Sequence, residues 1–248
     1  MTIHNAKPIL KVEHATKSFG GLVANEDISF EAKEGEIVGV VGPNGAGKTT
    51  LFNSLSGAHR LTSGRIYFRD QDITRLSAHD VCRRGIGRTF QIPQSLNQMT
   101  VLENVLVGSM IRHREMRKAR EHAKGIVAFC GLERYQNELV GRMNVIQKKR
   151  VEIARALATE PELLLLDETM AGLTDAERKE AVEFIRSINN RGVTIITIEH
   201  VMDVLMAVSD RVVVINSGKL LMQGTPTEVV NDEKVITAYL GGAKRYAC

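Results

Sequence analysis

The sequence contains no tryptophan, and aromatic residues make up only 4% of its 248 residues. Proteins that bind single-stranded nucleic acid usually stack the bases on aromatic side chains, so we expect no nucleic-acid partner. Cysteine is also scarce: Cys82, Cys130 and Cys248 are odd in number and lack the spacing of metal ligands. Reduced thiols, as in cytosolic proteins, are the simplest expectation.

Long apolar runs are missing as well. No run reaches the roughly 18–20 residues that a membrane-spanning helix needs, and residues 1–10 lack the apolar core of a signal peptide. We therefore expect the chain to remain in the compartment where it is made. Its 33 lysines and arginines and 29 acidic residues give a net charge of only +4. This small positive charge only weakly indicates anionic partners.

Short apolar runs alternate with helical patterns, and this order predicts an α/β fold with a parallel sheet. The runs are rich in valine, leucine and isoleucine, which is typical of strands buried on both faces. They lie at residues 36–41, 163–166, 193–198 and 211–215, and shorter strand patterns lie at 9–14, 28–32, 65–68 and 85–88.

Residues 93–143 lack such runs and are helical in pattern. We expect them to form a helical subdomain inserted into a single domain, whose core consists of residues 1–92 and 144–248. Within this block, residues 112–124 contain six lysines and arginines but only two glutamates. Two interpretations stay open for them: a solvated helix face, or contact with lipid headgroups or an acidic partner.

A glycine-rich loop matches the pattern G-x-x-x-x-G-K-[ST], which predicts a phosphate site. Glycines let backbone N–H groups turn toward phosphate oxygens, and the helix that begins near Lys48 adds its positive N-terminal end. Lys48 would contact the β- and γ-phosphates, and the Thr49 hydroxyl would ligate Mg²⁺. The predicted nucleotide-binding stretch is Gly42, Pro43, Asn44, Gly45, Ala46, Gly47, Lys48, Thr49 and Thr50.

The apolar run at 163–166 is followed by two carboxylates, Asp167 and Glu168. In many nucleotide hydrolases such a strand lies beside the phosphate loop. Asp167 would then hold Mg²⁺ through water, and Glu168 would polarise the attacking water. If the strand continued through both residues, their side chains would point to opposite faces of the sheet.

Three further residues gain meaning from these two motifs. Gln91 follows the strand pattern at 85–88 and is a candidate ligand of Mg²⁺ and of the attacking water. His200 follows the run at 193–198, where the end of a parallel strand can reach a γ-phosphate, although a lone histidine is more often structural. Phe19 is a candidate for stacking on an adenine ring, although core packing is the commoner role of a phenylalanine.

A helix start is marked by Asn144 and Gln147, which have the spacing of a capping box. The helical pattern then continues to about Ala158. Because residues 148–150 are Lys-Lys-Arg, this basic helix start is a candidate second anion site.

In this order, the motifs resemble the ATP-binding subunit of an ABC transporter over about residues 8–241. The resemblance implies a P-loop NTPase (RecA-like) core with an N-terminal antiparallel β subdomain and an inserted α-helical subdomain. It implies ATP and Mg²⁺ as cofactors, with catalytic roles for Glu168, His200 and Gln91. By this resemblance, Phe19 stacks on the adenine and Gln91 is the Q-loop residue. Asn144 and Gln147 belong to the signature motif. Asp167 and Glu168 end Walker B, and His200 is the switch histidine.

The finer resemblance is to the larger ATPase subunit of branched-chain amino acid importers. It rests on Phe-Gly-Gly-Leu at 19–22, Gly-Arg-Thr-Phe-Gln at 87–91, Met-Thr-Val-Leu-Glu-Asn at 99–104 and Ala-Tyr-Leu-Gly-Gly at 238–242. Similar subunits serve importers of urea and other amides, so a related small solute is also implied. The alternatives are the ATPase of a lipid or polysaccharide exporter and, less readily, an ABC ATPase outside transport.

The resemblance also implies partners and a location. The chain would bind two integral membrane permease subunits at the cytoplasmic face of the cell (inner) membrane, as a peripheral subunit. A second ATPase chain, identical or paralogous, would pair with it head to tail, and a solute-binding protein would act on the far side of the membrane. Gln91 and the helical block would receive the permeases, with Met99, Val101 and Leu102 lining a groove.

The sequence departs from the family pattern in three places. The signature motif usually reads L-S-G-G-Q, and here residues 143–147 read Met-Asn-Val-Ile-Gln. Thr169 replaces the proline that usually follows the catalytic glutamate, and Thr174 replaces an aspartate of the D-loop. These changes concern the contact across the dimer and leave the chain's own ATP-binding residues intact.

Overall fold

The computed structural model describes residues 7–92, 94–170, 172–199 and 202–240. Within these ranges the chain forms two β-sheets with helices packed on them. The expected switch histidine, His200, lies outside the described residues, as do residues 241–242 of the tail motif.

The N-terminal part forms a four-stranded antiparallel sheet from β1 (Pro8–Phe19), β2 (Leu22–Lys33), β4 (Ser63–Phe68) and β5 (Gln71–Asp72). The strand order is β2-β1-β4-β5, which is the antiparallel subdomain that the resemblance implies. β1 is longer than its alternation predicts because bulges interrupt it. One register shift lies between Val12 and Ala15, where His14 has a left-handed φ of 50°.

The second sheet has six strands in the order β10-β9-β3-β8-β7-β6. Its neighbouring strands are parallel, except that β9 and β10 form an antiparallel hairpin. Because the carboxyl ends of parallel strands share one edge, the segments after β3, β6, β7 and β8 meet there. The strands are β3 (Ile37–Val41), β6 (Ile86–Arg88), β7 (Leu163–Asp167), β8 (Thr194–Ile198), β9 (Arg211–Asn216) and β10 (Lys219–Gly224).

The sheet is covered on both faces, which explains the uninterrupted apolar runs. Every residue of β3, β7 and β8 is buried. On one face lies α1 (Lys48–Leu55), whose Leu51 and Phe52 are fully buried in a cluster that includes both sheets. The other face carries α5 (Val145–Leu157) and α6 (Asp175–Asn189). This packing fixes α1, and with it the loop before α1, against the sheet edge.

The remaining helices follow the predicted order along the chain. α2 (Ala78–Arg84) leads into β6, and α7 (Met202–Val208) precedes β9. At the C-terminal end, α8 (Pro226–Asn231) begins at a capping box formed by Thr225 and Glu228, as that spacing predicts. It is followed by α9 (Glu233–Leu240).

The block after β6 is helical, with α3 (Val101–Ser109), α4 (Met116–Phe129) and short 3-10 turns at Glu133–Tyr135 and Val140–Arg142. Val101 and Leu102 are buried in the core that α3 shares with α5, so the prediction that they line a surface groove is wrong. Their helix turns them inward, whereas Ile92 and Leu96, which follow Gln91, are exposed.

The basic stretch divides into two parts. Arg112 donates to the carbonyls of Thr159 (2.9 Å) and Arg83 (2.9 Å) and so fastens the loops around it. On α4, Arg117 and Lys118 are exposed and pair with Glu115, which fits the interpretation of a solvated helix face. Among the described residues, no helix is long and apolar enough to cross a membrane.

Candidate functional site

The phosphate loop lies between β3 and α1 and needs glycine at two points for different reasons. A Cβ on Gly42 would stand 2.0 Å from the carbonyl oxygen of Ile215, so the close approach of β9 excludes any side chain. Gly47 has a φ of 100° and would place a Cβ 2.3 Å from the carbonyl oxygen of Ala24. The loop is therefore wedged between its neighbours, and α1 begins at Lys48 as predicted.

Lys48 is buried, and its ammonium donates to the carbonyls of Gly42 (2.7 Å) and Pro43 (3.0 Å). Burial lowers the pKa of Lys48, while Glu168 and Asp167 act in the opposite direction. Because the buried ammonium of Lys48 has lost part of its hydration, an anion placed beside it stabilises its charged form. The loop and its lysine thus present a positive site to phosphate groups.

An open cleft of about 830 Å³ lies over this loop. It lies within the size range of small-molecule sites. Its lining residues are Phe19, Leu22, Val23, Ala24, Asn44, Gly45, Ala46, Gly47, Lys48, Thr49, Thr50, Gln91, Glu168, Ser217 and Gly218. Most of the predicted phosphate loop therefore meets Phe19, Gln91 and Glu168 in one cleft.

Phe19 ends β1 at one side of this cleft, with 44% of its surface exposed. Its ring makes an edge contact with His59 at 5.4 Å between centroids, and the ammonium of Lys17 lies 4.7 Å from its centroid. This exposure excludes the alternative that Phe19 is part of the core. The ring is placed where a flat apolar group could stack on it.

Asp167 is the last residue of β7 and is buried. Its Oδ2 accepts from Arg88 Nη2 at 3.3 Å, whereas its buried Oδ1 has no hydrogen-bond partner among the described residues. Burial raises the pKa of Asp167, and Arg88 counteracts that shift. An unpartnered buried carboxylate oxygen is costly, so Oδ1 is suited to a water or cation ligand.

Sequence reasoning missed Arg88, the partner of that carboxylate. Its guanidinium also donates to Asn53 Oδ1 (2.7 Å) and Ser56 Oγ (2.9 Å) on and after α1. The side chain is only 7% exposed. Arg88 is the last residue of β6, and an arginine that ends a strand of a covered sheet is itself a signal, because a buried charge requires a partner. Arg88 thus ties the end of β7 to the helix that follows the phosphate loop.

Glu168 follows β7 with a left-handed φ of 49°. Since the strand ends at Asp167, the alternation that would send the two carboxylates to opposite faces no longer applies, and both act on the charge of Lys48. Gln91 Nε2 donates to Glu168 Oε2 at 2.7 Å. A non-glycine residue held in this region often marks a functional position.

A second cluster that sequence reasoning missed holds the backbone after Glu168. Lys149 on α5 donates to the Glu168 carbonyl at 3.1 Å. The buried carboxylate of Glu199 accepts from the Met170 N–H (3.1 Å) and the Thr169 hydroxyl (3.3 Å). Thr169, which replaces the usual proline, therefore has a partner of its own. Burial raises the pKa of Glu199 to about 7.

Replacing Glu199 with glutamine should flatten the pH dependence of stability. The pKa of this carboxyl is about 7 in the folded chain and 4.5 ordinarily, so the folded state keeps a proton that the unfolded chain releases. Stability therefore falls as pH rises through this range. Glutamine keeps the acceptor without the charge, so it should raise the free energy of unfolding by about 3 kcal/mol at pH 8. Urea unfolding at pH 5 and pH 8 measures the gain, and an equal gain at both pH values would contradict the assignment.

The predicted helix start at Asn144 is confirmed: Asn144 Oδ1 accepts from the Gln147 N–H (2.8 Å), and Gln147 Oε1 accepts from the Asn144 N–H (3.0 Å). Neither residue lines the cleft. Val145 and Ile146 are 62% and 40% exposed in the first turn. The helix start is therefore a surface feature, separate from the chain's own phosphate loop.

The basic residues after this start also make contacts within the chain, and the second anion site that the sequence predicts here stays a prediction. Lys148 donates to the Gly141 carbonyl at 3.3 Å, and Lys149 donates to the carbonyl of Glu168. The guanidinium of Arg150 lies 4.6 Å from the centroid of the Phe184 ring. All three side chains therefore have contacts within the chain.

Comparison with known protein families supports the resemblance. The ABC transporter family model matches residues 25–171. The model of the branched-chain amino acid ATP-binding cassette transporter matches residues 219–245.

Individual relatives match over nearly the whole chain. The chain is 39% identical to the high-affinity branched-chain amino acid transport ATP-binding protein LivG of Escherichia coli (strain K12), over 96% of this chain and 100% of that protein. It is 37% identical to the corresponding BraF of Pseudomonas aeruginosa, over 96% of this chain and 100% of that protein.

The fold matches solved cassettes as well. The ADP conformation of MJ1267, an ATP-binding cassette of an ABC transporter, has a TM-score of 0.86 and 31% identity, covering 95% of this chain and 99% of that one. A dimeric structure of the bacterial ABC transporter cassette MJ0796 has a TM-score of 0.80 and 25% identity, covering 88% and 98%. The chain therefore belongs to the ABC transporter family, as an ATP-binding subunit and ATPase.

Proposed function

We propose that this chain hydrolyses ATP to drive uptake of branched-chain amino acids, or of a related small amide or amino acid. The solute class is supported by the names of LivG and BraF and by the match at residues 219–245. The hydrolytic role is carried by one observation: Glu168, Gln91 and Lys48 line the same cleft. We also propose that the chain is a single domain. Residues 1–92 and 144–248 form its core, and residues 93–143 form the inserted helical block.

The nucleotide would occupy this cleft with its adenine on Phe19 and its phosphates on the glycine-rich loop. Thr49, Gln91 and Asp167 are the proposed holders of Mg²⁺, because hard cations prefer oxygen ligands and Oδ1 of Asp167 is buried without a partner among the described residues. When bound, Mg²⁺ neutralises charge on the phosphates. Lys48 supplies a second positive charge from the protein.

The hydrolytic step would use Glu168 as the base. Water attacks the γ-phosphorus as the bond to the β,γ-bridging oxygen breaks, and the carboxylate of Glu168 accepts the proton of the water. Gln91 orients Glu168 through the 2.7 Å hydrogen bond, and Lys149 holds its backbone. His200 is proposed to contact the γ-phosphate, as its place in the motif order suggests.

A second ATPase chain would complete the site, with the helix start at Asn144 and Gln147 facing the partner's ATP. Val145 and Ile146 are exposed there where the family pattern has small residues. Both residues are helical, and their branched side chains stand where a phosphate would approach the backbone N–H groups of the helix start, so this signature would be a poorer phosphate ligand. A paralogue with an unaltered signature would complete the ATP site of this chain better than a second copy would.

The permease surface is proposed to lie beside Gln91. Ile92 is 74% exposed and Leu96 39% exposed, and both follow the residue that contacts Glu168. A short helix of a membrane subunit could pack on these side chains, so its movement would be transmitted to Gln91. The cytoplasmic face of the membrane is the proposed location, with a solute-binding protein on the other side.

Affinity purification from detergent-solubilised membranes tests this function. We expect two permease subunits, a paralogous ATPase and a solute-binding protein that binds leucine or a small amide. Ile92→Glu should lose the permeases, because it places a charge in the apolar contact. Met116→Glu, a control at a 51% exposed position on α4, should retain them. Recovery of a lipid or polysaccharide exporter subunit, or of no membrane protein, would refute the importer assignment.

A further inference from the structure

Two histidines and a glutamate converge on the side of the molecule where the helical block meets the loop before β7. His113 follows α3, His122 lies in α4, and Glu160 lies between α5 and β7. One potential ligand atom from each side chain lies within 4.8 Å of the others. None of the three lines the nucleotide cleft, and nothing in the proposed function uses them.

The three side chains of this cluster are in close contact, but without a cation their hydrogen-bond donors and acceptors are poorly matched. Glu160 Oε1 lies 3.0 Å from His113 Nε2 and 3.4 Å from His122 Nε2, so one oxygen faces both imidazoles. The two rings lie 4.7 Å apart between centroids. Both contacts are hydrogen bonds only if both Nε2 atoms carry protons.

The other nitrogen of His122 has its own partner. Nδ1 lies 3.0 Å from the hydroxyl of Ser109, which is fully buried. If Nδ1 carries the proton and donates to this hydroxyl, the lone pair of Nε2 faces Glu160 and His113. Metal-binding histidines are usually oriented by such a hydrogen bond on the second ring nitrogen.

The spacing also fits a tetrahedral cation. With bonds of about 2.0–2.2 Å to nitrogen and oxygen, tetrahedral ligand atoms lie about 3.4 Å apart. The two contacts to Glu160 are already 3.0 and 3.4 Å long. Only the separation of the two histidine nitrogens, at most 4.8 Å, would have to shorten. Arg112 holds the neighbouring loop through the carbonyl of Thr159.

We propose that His113, His122 and Glu160 form a site for a borderline-soft divalent cation such as Zn²⁺, with water as the fourth ligand. Two imidazoles and one carboxylate select zinc, cobalt, nickel or copper over Mg²⁺. Bound there, the cation joins α3 and α4 to the loop that leads into β7. It would thus stabilise the junction between the helical block and the sheet.

Titration of the chelator-treated full chain with Co²⁺ and Zn²⁺ tests this site. We expect one equivalent of Co²⁺ to give the visible absorption of four-coordinate cobalt without a thiolate charge-transfer band, and Zn²⁺ to displace it. Zn²⁺, but not Mg²⁺, should raise the melting temperature. Glu160→Gln and His122→Gln should abolish the cobalt band, and Ser109→Ala should weaken binding about 10–100-fold.

His79→Gln, at an exposed position on α2, is the matched control and should bind Co²⁺ as the parent does. The circular dichroism spectrum without metal shows whether each variant is folded. Glu160 is an exposed loop residue, so Glu160→Gln should stay folded. It therefore still tests the site if His122→Gln unfolds. Unchanged cobalt absorption in Glu160→Gln, or only six-coordinate cobalt in the parent, would overturn the assignment.

Discussion

Replacing Glu168 with glutamine should leave ATP binding intact and slow hydrolysis by at least about 100-fold, the lower end of what a general base contributes. The amide keeps the shape of the side chain and still offers an oxygen to Gln91 Nε2, which now lies 2.7 Å from Glu168 Oε2. It cannot accept a proton from water. Steady-state phosphate release and a fluorescent-nucleotide titration measure the two quantities separately.

The same variant should accumulate a dimer with ATP but not with ADP, because the γ-phosphate is the group that both chains would contact in the proposed dimer. Light scattering over a wide range of protein concentration measures this, first alone and then with the paralogue added. Glu133→Gln, at an exposed position, is the control and should behave as the parent. Hydrolysis by Glu168→Gln at the parental rate would show that the base has been misassigned.

Replacing Arg88 with leucine should destabilise the chain by about 3–5 kcal/mol, the usual consequence of removing one partner of a buried ion pair. Asp167 would keep a buried charge, and Asn53 and Ser56 would lose their hydrogen bonds to the guanidinium. Urea unfolding measures the change. Arg83→Leu is the matched control, since Arg83 is exposed on α2, and it should change stability by less than about 0.5 kcal/mol.

A double-mutant cycle separates the ion pair from the packing of Arg88. Asp167→Asn removes the charge that Arg88→Leu leaves unpaired, so the double variant should be more stable than the sum of the single effects predicts. Additive losses, or a loss below about 1 kcal/mol for Arg88→Leu, would show that this pair does not hold β7 to α1.

Much of the fold could be predicted because its signals are local. The capping boxes at Asn144, Thr174 and Thr225 mark helix starts within four residues of sequence. The turn at Ser217 and Gly218, with φ values of 49° and 79°, joins β9 and β10 as a two-residue hairpin, and its signal lies in two adjacent residues. The phosphate loop combines a strand, glycines and a helix start in one continuous stretch.

The contacts that sequence reasoning missed join distant parts of the chain. Arg88 and Asp167 are 79 positions apart, and Glu199 reaches back 29 positions to Met170. No local pattern tells which acid a buried arginine will meet. Val101 and Leu102 show the same limit, since an apolar helix face does not reveal whether its own domain or a partner will cover it.

Uptake of radiolabelled leucine into proteoliposomes tests the central claim most directly. The vesicles contain the purified complex with ATP enclosed on the side of the ATPase subunits, and the solute-binding protein is supplied outside. We predict accumulation with ATP, none with ADP, and none when Glu168→Gln replaces the parent chain. Equal leucine uptake with ATP and ADP, or uptake unaffected by Glu168→Gln, would contradict the account.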